Sequence, residues 1–223
     1  MMDHMLDPSE APPQPPAGEI KRPAHRPSRR QQIIQAATRV FAREGYVEAN
    51  VEDIAKAAAV APTAIYYHFG SKEELFTHAL RAAMDAFSEV VYEARPDNVP
   101  GSVEGLRKVL RAGWDYWQAN PDAARLVARY SEGSTVQAIR LRHEWEERHL
   151  TRAYDYTAPA KSNRSNRKAR DLHAAHSLAI RVMLDVILAS QAAALDGTLG
   201  RVSRAALMSA VEEMCVALVL SID

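Results

Sequence analysis

Apolar residues recur three and four apart along most of the chain, and no stretch alternates as a strand would. Ile33, Ile34, Ala37, Val40 and Phe41 mark a first helix. Ser28 with Gln31 forms a capping box at its start, and Gly45 can end it in a left-handed conformation. Asn50 caps a second helix, with Asp53 suited to its first turn and Val51, Ile54, Ala55 and Ala58 on one side. Pro62 suits the first turn of a short third helix. Ser71 with Glu74 reads as a second capping box, opening a long helix through Leu75, Phe76, Leu80, Met84 and Phe87. Pro96 and Pro100 stop that helix near Arg95. The pattern predicts further helices over 103–119, 121–130, 133–157, 171–196 and 202–221, with the basic, polar segment 158–170 as a mobile loop. The fold class is all-α.

The chain has 223 residues and a formal net charge of zero, so total charge points to no nucleic-acid partner and only its distribution can. Residues 1–27 hold seven of the twelve prolines and few large apolar groups, the composition of a disordered tail. Its start lacks the pattern of a signal peptide. The lone Cys215 makes no internal disulfide and lies on an apolar face, where a thiol behaves as a small hydrophobe. The longest apolar run, VMLDVILASQAAAL, is interrupted by Asp185, Ser190 and Gln191, so no membrane span is expected and the chain reads as cytoplasmic. There is no GxSxG, P-loop, strand-linked GxGxxG or HExxH, so no enzyme and no cofactor is expected.

Helix 51–58, the turn AVA and helix 62–69 have helix-turn-helix spacing. Ile65 and Phe69 lie four apart and share the core side of the third helix. Thr63, Tyr66 and Tyr67 then project outward, with His68 at the rim. A major groove about 12 Å wide admits such a helix, and hydroxyls and ring edges reach phosphates and bases there. From Ile20 to Leu75 nine Lys/Arg face six Asp/Glu, a surplus concentrated in the arm KRPAHRPSRR, which includes Arg30. Flexible basic arms can enter a minor groove. Lys72 opens the fourth helix beside free backbone N–H groups, a ready anion site.

The segment FAREGYVEANVEDIAKAAAVAPTAIYYHFGSKEELFTHAL resembles the DNA-binding domain of TetR-family transcriptional regulators. The glycine and aromatic after the first helix, VEDIAKAAAV, and YYHFGSKEEL match in order and spacing over roughly Arg30 to Leu80. The resemblance implies that Thr63, Tyr66, Tyr67 and His68 sit at the DNA surface and that Lys72 touches the backbone. Ala64, Asn50 and Arg30 complete the candidate DNA-contact set. It also implies an all-helical homodimer with a variable C-terminal ligand-binding domain. Family members often carry a small polar residue and a lysine where this chain has Ala61 and Pro62, so the operator cannot be inferred by analogy.

The expected organisation is a tail over 1–27, a three-helix helix-turn-helix domain over 28–75, and a helical ligand-binding and dimerisation domain over 76–223. Helix 171–196 is apolar almost all round and must be covered on more than one side. With helix 202–221 it suits a two-fold four-helix interface, with Leu178, Val182, Val186, Leu207, Val211, Met214 and Leu218 as candidates. Between them and the long helix, Trp114, Trp117, Arg129, Tyr130, Trp145 and His149 are the candidate lining of an effector pocket, although any one of them can instead fill a core. The expected partners are a double-stranded DNA operator, a small hydrophobic or amphipathic effector and a second copy of the chain. The function implied is a repressor that the effector releases. Glu146 with His149 and His173 with His176, each three apart, keep a metal sensor open as an alternative, and the loop 158–170 keeps open control by a protein partner.

Overall fold

The computed structural model describes residues 28–95, 102–129, 135–157 and 166–222. The expected tail and Tyr130 lie outside the described residues. Within them the chain is helical, with no strand: α1 (Arg29–Glu48), α2 (Val51–Ala57), α3 (Pro62–Phe69), α4 (Lys72–Glu93), α5 (Val103–Ala119), α6 (Pro121–Arg129), α7 (Val136–Thr157), α8 (Asn166–Asp196) and α9 (Arg204–Leu220).

Local chemistry sets most boundaries. Ser28 Oγ accepts from the Gln31 amide and Gln31 Oε1 accepts from the Ser28 amide, so both halves of the first capping box form. The second forms only one half: Ser71 Oγ accepts from the Glu74 amide at 3.1 Å, while the Ser71 amide donates to the Phe69 carbonyl. Gly45 has φ 84 and ψ 173, so it bends α1 in a region open to glycine and is not the left-handed cap expected. The helical stretch continues beyond it to Glu48. Asn50 Oδ1 accepts from the Glu52 amide at 3.1 Å and opens α2.

Segment 158–170, expected as a loop, is helical from Asn166 onward. Its Lys, Arg and Ala are good helix formers, and polarity reports exposure, not absence of helix. Residues 158–165 lie outside the described residues.

Helix α4 joins the two expected domains, whose boundary at 75/76 falls within its first turns. Phe76 packs edge-on against Phe41 at 5.0 Å between centroids. Farther along the same helix, Phe87 stacks on Trp117 of α5 at 4.7 Å. Buried residues from α1 through α9 form one hydrophobic cluster. By length and composition alone Arg170–Asp196 is apolar enough to cross a membrane, a test that the core helix of a bundle also passes. In the fold it instead packs on α6, α7 and α9, and Gln191 donates to the Trp114 carbonyl at 3.4 Å. Arg107 and Arg111 of α5 grip the buried Glu212 of α9 at 2.6 and 2.9 Å, fixing how α9 rests on the bundle.

Candidate nucleic-acid interface and C-terminal cavity

The short α3 is held from one side only. Ile65 and Phe69 are fully buried, one helical turn apart. That leaves Tyr67 86% exposed and Tyr66 50% exposed, with Thr63 exposed on the first turn. Ala64 and His68 are half-buried, and the His68 ring lies edge-on to Tyr67 at 5.3 Å. Large aromatic surface left in water on a rigid helix is the arrangement expected of a contact surface, not of a core.

Two basic residues are pinned beside this helix. Lys72 Nζ donates to the Val47 carbonyl at 3.0 Å and lies over the Tyr46 ring at 5.0 Å. The sequence placed Lys72 at the helix start as part of an anion site; the structure adds that its ammonium rests on α1. Arg30 lies over the Phe69 ring at 4.9 Å, and its Nη2 sits 3.0 Å from His78 Nε2. Burial, and then the Arg30 charge, push the His78 pKa down. His78 thus accepts from Arg30 in its neutral form, a role the sequence did not signal. Asn50 is exposed, with its oxygen spent on the α2 cap and its amide nitrogen left for an acceptor.

In the C-terminal half, the aromatic residues form a stack. Trp145 and His149 lie nearly parallel at 4.9 Å, and Phe87 contacts both His149 and Trp117. Trp145 Nε1 donates to the Met84 carbonyl at 3.0 Å, whereas the buried Trp117 Nε1 has no acceptor among the described residues. Burial holds the His149 pKa down at about 4, and its Nδ1 faces Ser88 Oγ at 3.3 Å.

An apolar cavity of about 40 Å³ lies between α4, α5, α7 and α8, and among the described residues His149 is its one titratable lining group, beside Phe87, Val91, Leu110 and Met183. Trp145 and Arg129 instead line a groove of about 820 Å³ between α6, α7 and α8. Trp114 and Trp117 line neither, because both are spent on packing among α4, α5 and α8. Of the expected lining set, the fold therefore brings only His149 to the apolar cavity.

On the outer faces of α8 and α9, Leu178 is 62% exposed, Met214 59% and Val182 38%, with Val186, Leu207 and Leu218 half-buried. Val211 does not belong to this face. It is 3% exposed within the single chain, because α9 turns that side toward its own bundle.

The sequence profile described as bacterial regulatory proteins, tetR family, matches residues 33–79. The HTH-type transcriptional repressor NicS of Pseudomonas putida is 32% identical over 99 residues, 44% of this chain and 46% of NicS. The HTH-type transcriptional repressor AcnR of Corynebacterium glutamicum is 38% identical over 81 residues, 36% of this chain and 40% of AcnR. The matches span about half the length of the curated relatives or less. The solved structure of the transcriptional regulator FadR of Bacillus subtilis, in complex with stearoyl-CoA, superposes with a TM-score of 0.65 at 21% identity. That superposition covers 84% of this chain and 97% of FadR. The helix-turn-helix spacing, the exposed face of α3 and these matches converge on one likeness: residues 33–79 fit the tetR family of bacterial regulatory proteins, and the matched relatives are HTH-type transcriptional regulators.

Proposed function

We propose that the chain is a homodimeric transcriptional repressor, not an enzyme, that acts in the cytoplasm on a near-palindromic operator. The observation that carries this reading is the outward row Thr63, Tyr66 and Tyr67 on a helix whose opposite side is locked into the core by Ile65 and Phe69. Arg30 and Lys72, each fixed against a ring, flank that row as phosphate contacts. One such helix reads few base pairs. Two copies joined through the apolar faces of α8 and α9 would present their α3 helices about 34 Å apart, to successive major grooves.

The effector reading rests on the apolar cavity beside His149. About 40 Å³ holds only a few water-sized groups. A drug-sized effector therefore enters only if lining side chains move, and two of them, Phe87 and Val91, sit on α4, the helix that continues from the reading head. Effector entry would thereby act on the helix that carries the reading head. A hundredfold loss of operator affinity needs about 2.7 kcal/mol of differential binding, within the usual range of coupling energies. The metal-sensor alternative is weaker, because both Glu146 oxygens are taken by Arg142 and Arg181.

The test is selection of bound duplexes from a random DNA pool, followed by affinity measurement on the winner. A two-fold symmetric site bound by two chains supports the proposal, and no enrichment above non-specific binding defeats it.

A further inference from the structure

The seam between α1 and α6 carries a feature that the reading above does not use. Arg39 and Arg43 lie four apart on α1, and Arg125 and Arg129 lie four apart on α6. Like charges at this spacing repel along a helix. Here two such pairs line one cleft of about 350 Å³, with Asp122 as its only acidic lining residue among those described.

Compensation inside the cleft is thin. Arg43 is drawn to its neighbour Glu44 at 2.6 Å. Arg125 reaches Asp122 only at 3.9 Å. Arg129 donates to the Arg43 backbone carbonyl at 3.2 Å, which neutralises no charge but ties the end of α6 to α1 just before its bend at Gly45. Arg39 makes no ion pair or hydrogen bond among the described residues. The backbone tie fixes the cleft while leaving the guanidinium charge surplus in place.

We infer that this α1–α6 cleft is a binding site for a compact, multiply charged phosphate compound, on the evidence of the two facing arginine pairs and the thin acidic compensation between them. Guanidinium groups present paired N–H donors that match phosphate oxygens, and four from two helices can surround one small anion. The bound anion bridges α1 of the reading head to α6 of the C-terminal half and stiffens the joint between them. The inference is independent of the repressor reading, since binding is measured without DNA.

The experiment is calorimetric titration of the full chain with pyrophosphate at fixed ionic strength, with citrate as a parallel arm. The expected result is saturable binding of one pyrophosphate per chain with Kd below about 1 mM, weaker citrate binding, and a melting temperature raised by about 2–4 °C near saturation. Arg39→Gln with Arg125→Gln should weaken binding at least about tenfold, as loss of two charge-assisted contacts implies. Neither residue closes the backbone tie, so the unliganded double variant should melt with the wild type. If it does not, each single variant serves as the test, with a smaller loss expected.

Unsaturable binding, or binding that ignores these substitutions, overturns the site, and equal citrate affinity overturns the phosphate class. The same guanidiniums could instead grip a DNA phosphate. A double variant that lowers the salt slope of DNA binding by about two in pyrophosphate-free buffer would assign the cleft to DNA and end the proposal.

Discussion

The Val60 amide donates to the Ala55 carbonyl at 3.0 Å, closing the turn between α2 and α3 around Ala59, whose φ is 53. This is a Schellman turn with alanine where glycine normally sits. Ala59→Gly should relieve the left-handed strain and stabilise the chain by about 0.5–1 kcal/mol, net of glycine's greater freedom when unfolded. Chemical denaturation of both forms measures it; an equal or lower midpoint would mean that the Ala59 methyl contributes packing that outweighs the strain.

Phosphate-type and base-type contacts separate by their selectivity. Lys72→Ala should weaken binding to all sequences alike and lower the salt slope by about one. Thr63→Val should act selectively, costing about 1–3 kcal/mol on the preferred duplex if a base is read there. Fluorescence anisotropy on preferred and scrambled duplexes at several salt concentrations distinguishes them. Negligible effects from both substitutions would defeat the docking of α3.

The proposed dimer depends on an apolar face that one chain leaves uncovered. Leu178→Asp or Met214→Asp places a charge on an exposed apolar position of α8 or α9. Either substitution should leave the helical signal intact and convert the proposed dimer to monomer, as read by light scattering. Val211→Asp should unfold the chain instead, because Val211 belongs to the chain's own core. A wild type that already runs as a monomer would remove the two-headed mode of binding.

His149 sets a pH dependence with a definite sign. Its folded pKa is about 4 and its ordinary value 6.5. Between these values the unfolded chain binds a proton that the folded chain does not. Stability is therefore full above about pH 6.5 and falls as the pH drops toward 4. The loss amounts to a few kcal/mol, on the order of 1.4 per unit. His149→Gln should flatten this limb in denaturation curves collected across that window. An unchanged limb would place the titrating group elsewhere.

Glu212 governs the seating of α9. The hydrogen bond from Arg111 is the largest cause holding its pKa below the usual carboxylate value. That contribution is present above the ordinary carboxylate range and is lost as pH falls through the lowered value. Glu212→Gln should lower stability at neutral pH by about 1–2 kcal/mol and shrink the acid loss below about pH 4.5. Thermal melts across pH 3–7 test it, and identical acid limbs would refute the assignment.

The legible parts of the site share one property. Ile65 and Phe69 inside, with Thr63 and Tyr67 outside, follow from spacing on one short helix. Arg129 was legible only as a charge near a possible pocket. Its hydrogen bond to the Arg43 carbonyl joins residues 86 apart in sequence. His78 carried no local signal, since its partner Arg30 lies 48 positions away.

By itself, the order of residues determined the helices, the two-helix reading motif and the wet side of α3, because helical periodicity and capping act over three or four neighbouring positions. Only the tertiary structure decided that Trp114 and Trp117 pack while His149 meets the cavity, that Val211 faces inward, and that Lys72 rests on Val47. The physical reason is that α8 and α9 are apolar on nearly every side, so their own pattern does not choose a partner. That choice is made by elements brought together from distant parts of the chain.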